Sequence, residues 1–129
     1  MTARTRLISY WVATAILAFV MLSGGVADVV HQADAAAGMA HLGYPLYFMT
    51  ILGAWKLCGG VVVLAPRLPR LKEWAYAGAF FDLSGATLSH LATGDDLRHI
   101  MTPLVFAAIA VASWALRPAS RALGELPSL

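Results

Sequence analysis

Four stretches of the chain are too long and too apolar for ordinary core helices: Leu7–Ala27, Tyr44–Ala65, Trp74–Ala92 and His99–Leu116. A helix rises about 1.5 Å per residue and a bilayer's hydrocarbon core is about 30 Å thick, so roughly 20 apolar residues cross it. The last stretch is the shortest. Its Pro103 is expected in the first helical turn, where a missing N–H has no helical partner to lose. The remaining composition agrees, because 60% of the residues are hydrophobic and only 12% charged, against roughly a quarter charged in soluble domains. The expectation is an all-α, integral membrane four-helix bundle: a single domain over 1–129, with residues 117–129 as a tail.

Charge orients this bundle. Seven of the nine basic residues fall on one side: Arg4 and Arg6 before the first segment, Arg67, Arg70 and Lys72 between the second and third, and Arg117 and Arg121 after the fourth. The other side carries Arg98 against Asp28, Asp34, Asp95 and Asp96. Basic residues collect on the cytoplasmic face, so both termini are expected there. Tyr10, Trp11, Trp74, Tyr76 and Trp114 fit the inner interface, and Tyr44 and Tyr47 the outer one. The net charge of +2 therefore reflects membrane topology rather than nucleic-acid binding, and the partner it implies is the lipid bilayer. The first segment also resembles a signal peptide, but its apolar run is longer than a usual signal core, so its retention is expected.

The loop "DVVHQADAAAGMAHLGYP" has helix-like apolar spacing and is expected to continue the first helix as a short amphipathic helix on the outer surface. The short, proline-punctuated "PRLPRLKE" makes the second and third segments antiparallel neighbours. The closing "ASRALGELPSL" reads as a frayed cytoplasmic tail.

Two charges lie inside the apolar segments. Lys56 is nine residues from Ala65 and Asp82 eight from Trp74, which places them about 13 Å and about 12 Å from the same membrane face. Helical spacing puts Asp82 with Gly78, Ala79, Gly85 and Ala86, and Lys56 with Gly53, Gly59 and Gly60. Small residues let membrane helices approach closely, and intramembrane charges face the bundle interior. A direct Lys56–Asp82 contact between these two segments follows, either as a clip fixing helix register or as the polar end of a ligand pocket. A buried pair is weak evidence for net stability, since desolvation offsets much of the Coulomb gain.

Ser89 and His90 lie two turns from Asp82, towards the outer side. An imidazole there can relay protons or donate to a quinone carbonyl; the plainer reading is an interfacial histidine satisfied by Ser89, a loop carbonyl or water. His31, His41 and His99 also fall on the outer side, without metal-site spacing. Cys58 is the single cysteine. It excludes an intrachain disulfide or a C-x-x-C pair and is assigned no role. Ser23, Gly24 and Gly25 read as a close-packing site.

The block "KLCGGVVVLAPRLPRLKEWAYAGAFFDLSGATLSHLATGDD" resembles the DoxX-like family of small bacterial four-helix membrane proteins, and the likeness extends over roughly residues 10 to 116. It implies a bacterial cytoplasmic (inner) membrane location. Better-known relatives are associated with quinone-linked sulfur oxidation in archaea and with thiol and oxidative-stress complexes in actinobacteria. Carried onto this chain, the resemblance marks Lys56, Asp82, Ser89 and His90 as candidate ligand-binding positions; no catalytic residue is assigned. The lone cysteine departs from a thiol-reductase pattern, including that of the four-helix vitamin K epoxide reductases. Three functions stay open: a membrane subunit or scaffold with a polar mid-membrane site, a quinone-interacting oxidoreductase component, and a small transporter. Protein partners or a homo-oligomer accompany the first and third.

Overall fold

The computed structural model describes residues 1–123. Its α-helices are α1 (Ala3–Val29), α2 (Ala33–His41), α3 (Leu46–Leu64), α4 (Pro69–Ala92) and α5 (Leu97–Ala115), followed by a 3-10 turn at Ala119–Arg121. No strand occurs among the described residues. α1 packs against α3 and α5, and α4 against α5 and α3, so the four long helices close a ring; α2 touches α3 and α1. The shared core is Leu17, Ala18 and Met21 of α1, Val63 of α3, Tyr76, Ala79 and Leu83 of α4, and Ala107 and Ala110 of α5. Three helices, α1, α3 and α5, are long and apolar enough to cross a membrane.

Several boundaries differ from the sequence-based expectation for local reasons. Thr2 caps α1 by accepting from the Thr5 amide at 3.1 Å, and α1 continues past Ala27 to Val29. Asp28 therefore belongs to its last turn, because a single acidic residue does not break a helix. The chain then reverses through His31, at φ 53°, and Gln32 starts a separate α2 by accepting from the Ala35 amide at 2.9 Å. α2 is thus a new helix and does not continue α1. Pro69 opens α4, five residues ahead of the expected start, since proline suits the first helical position; the added turn carries Lys72. Asp96 caps α5 by accepting from the His99 amide at 3.1 Å. That start at Leu97 moves Pro103 into the helix interior, contrary to the first-turn expectation, and removes one backbone hydrogen bond there.

Glycines decide how closely α1 and α3 approach. A Cβ added to Gly53 would lie 2.8 Å from the Gly25 carbonyl oxygen, and one on Gly25 would lie 3.0 Å from that of Gly53. Gly60 meets Leu22 at 2.7 Å in the same test, and Gly59 meets the Met21 side chain. The expectation that Gly53, Gly59 and Gly60 admit α4 is therefore corrected: they admit α1. On α4 the two glycines stay unused for packing, since a Cβ on Gly78 or Gly85 meets nothing within 4 Å, whereas Ala79 packs in the core.

At the opposite end from α2, two cations cap α3. The last carbonyls of any helix lack intrahelical donors. Lys72, fully buried, donates to Val62 O at 2.8 Å and to Ala65 O. Arg121 donates to Val63 O, Leu64 O and Ala65 O at 3.3, 3.2 and 3.0 Å. Positive charge is also favourable at a helix C-terminus. The start of the expected frayed tail is accordingly an ordered cap, while residues 124–129 of that tail lie outside the described residues. Nearby, Arg6 donates to Ala115 O at 3.0 Å and Arg117 pairs with Glu73 at 2.6 Å, so this end is basic.

Candidate functional site

Lys56 occupies the middle of α3, three residues after Gly53. Side chains on a helix lean towards its N-terminus, which for α3 is the α2 end of the molecule. Asp28 stands at that end, three residues beyond Gly25 on the antiparallel α1. With the two glycines in backbone contact, the long lysine spans the remaining offset. Lys56 Nζ donates to Asp28 Oδ2 at 2.8 Å, and Asp82 Oδ2 of α4 lies 3.9 Å from the same nitrogen.

The expected pair is thus one edge of a triad, and its shorter contact is to Asp28. Asp82 stands at ion-pair distance but beyond hydrogen-bond range. Asp28 keeps only 9% of its side-chain exposure, against 21% for Lys56 and 23% for Asp82. The difference has a structural cause. Asp28 is clasped at the glycine crossing, whereas Asp82 faces the looser α3–α4 seam.

That seam holds a cavity of about 310 Å³. Met21 of α1 reaches its lining, Leu52, Trp55 and Val62 come from α3, and Trp74 and Gly78 from α4; its charged members are Lys56 and Asp82. The cavity is therefore apolar along most of its length, with an ammonium and a carboxylate on its wall. Lys56 uses one of its three donors on Asp28, and two N–H groups remain for a ligand.

Ser89 and His90 do not line this cavity. The Tyr44 hydroxyl lies 2.6 Å from Ser89 Oγ, whose own proton goes to Gly85 O at 2.8 Å. His90 belongs to a second cluster at the α2 end. Asp95 accepts from His90 Nδ1 and His41 Nε2, both at 2.6 Å, and from the Thr93 hydroxyl at 3.1 Å. Hydrogen bonds from His90, then His41, hold the Asp95 carboxyl well below the usual carboxylate range. The partner of His90 Nδ1 is therefore the Asp95 carboxylate, in place of Ser89 or a loop carbonyl. Asp96 is likewise held below its ordinary value, mainly by the His99 side chain 2.5 Å away. Among the described residues no group of three His, Cys, Asp or Glu side chains is arranged to hold a metal ion.

Asp28 is the member that the sequence reading placed in the outer loop. Its signal was present in the spacing: glycine precedes the charge by three positions in both "GGVAD" and "GAWK". Two antiparallel helices crossing at those glycines set the charges on either side of one contact.

No curated protein and no solved structure gives a significant match to the chain. The sequence model described as the DoxX-like family matches residues 12–113, a span running from the first turns of α1 to the last turn of α5 and containing Asp28, Lys56, Asp82 and the α3–α4 seam. The chain belongs to the DoxX-like family.

Proposed function

We propose that this chain is a non-catalytic membrane subunit or scaffold that holds an amphiphilic molecule in the α3–α4 seam, with the ligand's polar group at Lys56 and Asp82. The four long helices form the bundle, and α4 crosses the bilayer with the other three despite its more polar composition. Both termini lie on the cytoplasmic side of the bacterial inner membrane, a reading supported by Arg6, Lys72, Arg117 and Arg121 gathered at one end of the molecule.

One observation carries the pocket reading. A cavity of about 310 Å³ with apolar walls is lined by Lys56 and Asp82, and a bilayer around it would offer these charges no water. Cavities of roughly this size with few polar groups suit small molecules, and charges at membrane depth are functional by default. The route from Lys56 and Asp82 to His90 that a quinone-linked oxidoreductase would use has no geometric support, because His90 is engaged by Asp95 outside the cavity.

Mass spectrometry of amphiphiles retained after mild solubilisation tests the proposal. Wild-type protein is expected to hold a molecule that the Lys56→Met/Asp82→Leu double variant releases. Equal retention by both would reduce the charges to a register clip.

A further inference from the structure

Resting on that pocket reading, we infer that the occupant of the α3–α4 cavity is an amphiphilic organic cation, with a protonated amine or comparable onium group seated against Asp82. The argument begins with charge. Two carboxylates, Asp28 and Asp82, surround a single ammonium, Lys56, leaving one formal negative charge unmatched. A buried charge is costly unless it is paired.

The unmatched charge has a definite place. Asp28 takes the hydrogen bond of Lys56 at 2.8 Å, while Asp82 stands at 3.9 Å and receives no hydrogen bond from any described residue. Asp82 lines the cavity, so a ligand there would lie beside its carboxylate. A neutral carbonyl compound would engage Lys56 and leave Asp82 as it is. A cation supplies what Asp82 lacks.

The cavity walls fit the same chemistry. Trp55 and Trp74 both line it, and indole faces are the strongest aromatic partners for cations. The remaining wall is aliphatic or glycine, suited to an alkyl or ring body. Gly78, whose missing Cβ leaves open space, keeps the α4 side free. A partner transmembrane helix would need a long continuous face, whereas this half-open groove of about 310 Å³ has the dimensions of a small-molecule site.

The probes are decylammonium and decanol, which differ in the terminal group, measured by equilibrium binding to the full chain in nanodiscs at neutral pH. Protein-free nanodiscs set the membrane-partition baseline. Wild-type protein should hold decylammonium about 10-fold or more tightly than decanol, the scale of one charge-assisted contact. Asp82→Asn should bring that ratio close to one. Gly78→Leu, whose Cβ meets nothing within 4 Å and whose branched end would occupy the cavity, should abolish binding of both probes and keeps the test decisive if Asp82→Asn fails to fold. Saturable binding of decanol with no preference for the amine would overturn the cation assignment and leave the pocket reading standing. Binding of neither probe above the baseline would overturn both.

Discussion

Replacing Lys56 with methionine removes the ammonium and leaves Asp28 nearly buried, with 9% side-chain exposure, without its donor. Breaking a buried ion pair from one side costs about 3–5 kcal/mol; the partial exposure of Lys56, 21%, places this case near the lower end, about 3 kcal/mol. Double-mutant cycles then separate the two carboxylates. At an effective dielectric of about 20, Coulomb attraction at the two separations differs by less than a factor of two, so charge alone predicts comparable couplings. The hydrogen bond at 2.8 Å to Asp28 adds a contribution that Asp82, at 3.9 Å, does not make, and charged hydrogen bonds are worth about 1.5–3 kcal/mol. Coupling of Lys56→Met with Asp28→Leu should therefore exceed coupling with Asp82→Leu by about 2 kcal/mol, and the first double variant should recover most of the lost stability. Reversible unfolding in detergent, followed by circular dichroism, measures each corner of the cycles. An Asp82 coupling equal to or larger than that of Asp28 would refute the assignment of Asp28 as the principal partner.

Gly53→Ala should destabilise by about 1–3 kcal/mol, because its Cβ would lie 2.8 Å from a backbone oxygen that cannot rotate away; Gly78→Ala, which meets nothing, should gain up to about 1 kcal/mol from helix propensity, and thermal melts of the two variants compare them directly. Arg121→Ala should cost about 1–2 kcal/mol by uncapping the α3 carbonyls, with faster amide exchange at 116–123 as the local signature. Asp95, whose folded-state carboxyl is held below its ordinary value, contributes stability that is fully present above about pH 4, the unfolded carboxylate value, and lost as pH falls towards the folded one. The wild-type unfolding curve should therefore steepen below about pH 4 relative to Asp95→Asn; parallel curves would show that the histidine bridge stabilises nothing.

Hydropathy made the four long helices legible as helices, and three of them, α1, α3 and α5, are long and apolar enough to cross a membrane. Helical spacing also brought Lys56 and Asp82 to one level of the bundle, where they stand 3.9 Å apart. Composition hid the ends of helices. Asp28 was read as loop because a charge ended the apolar run, yet a helix continues through one acid when the next residues allow it. Lys72 falls outside the apolar run that begins at Trp74, so hydropathy leaves it between segments; its burial follows from unpaired carbonyls on another helix, a demand that no local pattern displays. The partner of His90 was hidden similarly, since Asp95 lies across a turn whose geometry the string "TGDD" does not specify.

The tight contact and the open one have a common origin. Gly53 and Gly60 lie seven residues apart on one stripe of α3, and that stripe packs against α1. A helix has one such smooth face here, so drawing α3 onto α1 leaves Leu52, Trp55 and Val62 to line the looser α3–α4 seam. Lys56, three residues past Gly53, stands at the border of the two faces. It reaches Asp28 across the closed side while its remaining N–H groups border the open side. Gly78 and Gly85 are not used as Gly25 is, so α4 does not close on α3 and Asp82 stays at 3.9 Å from Lys56. The same glycine allocation that stabilises α1 against α3 therefore creates the cavity and leaves Asp82 facing it.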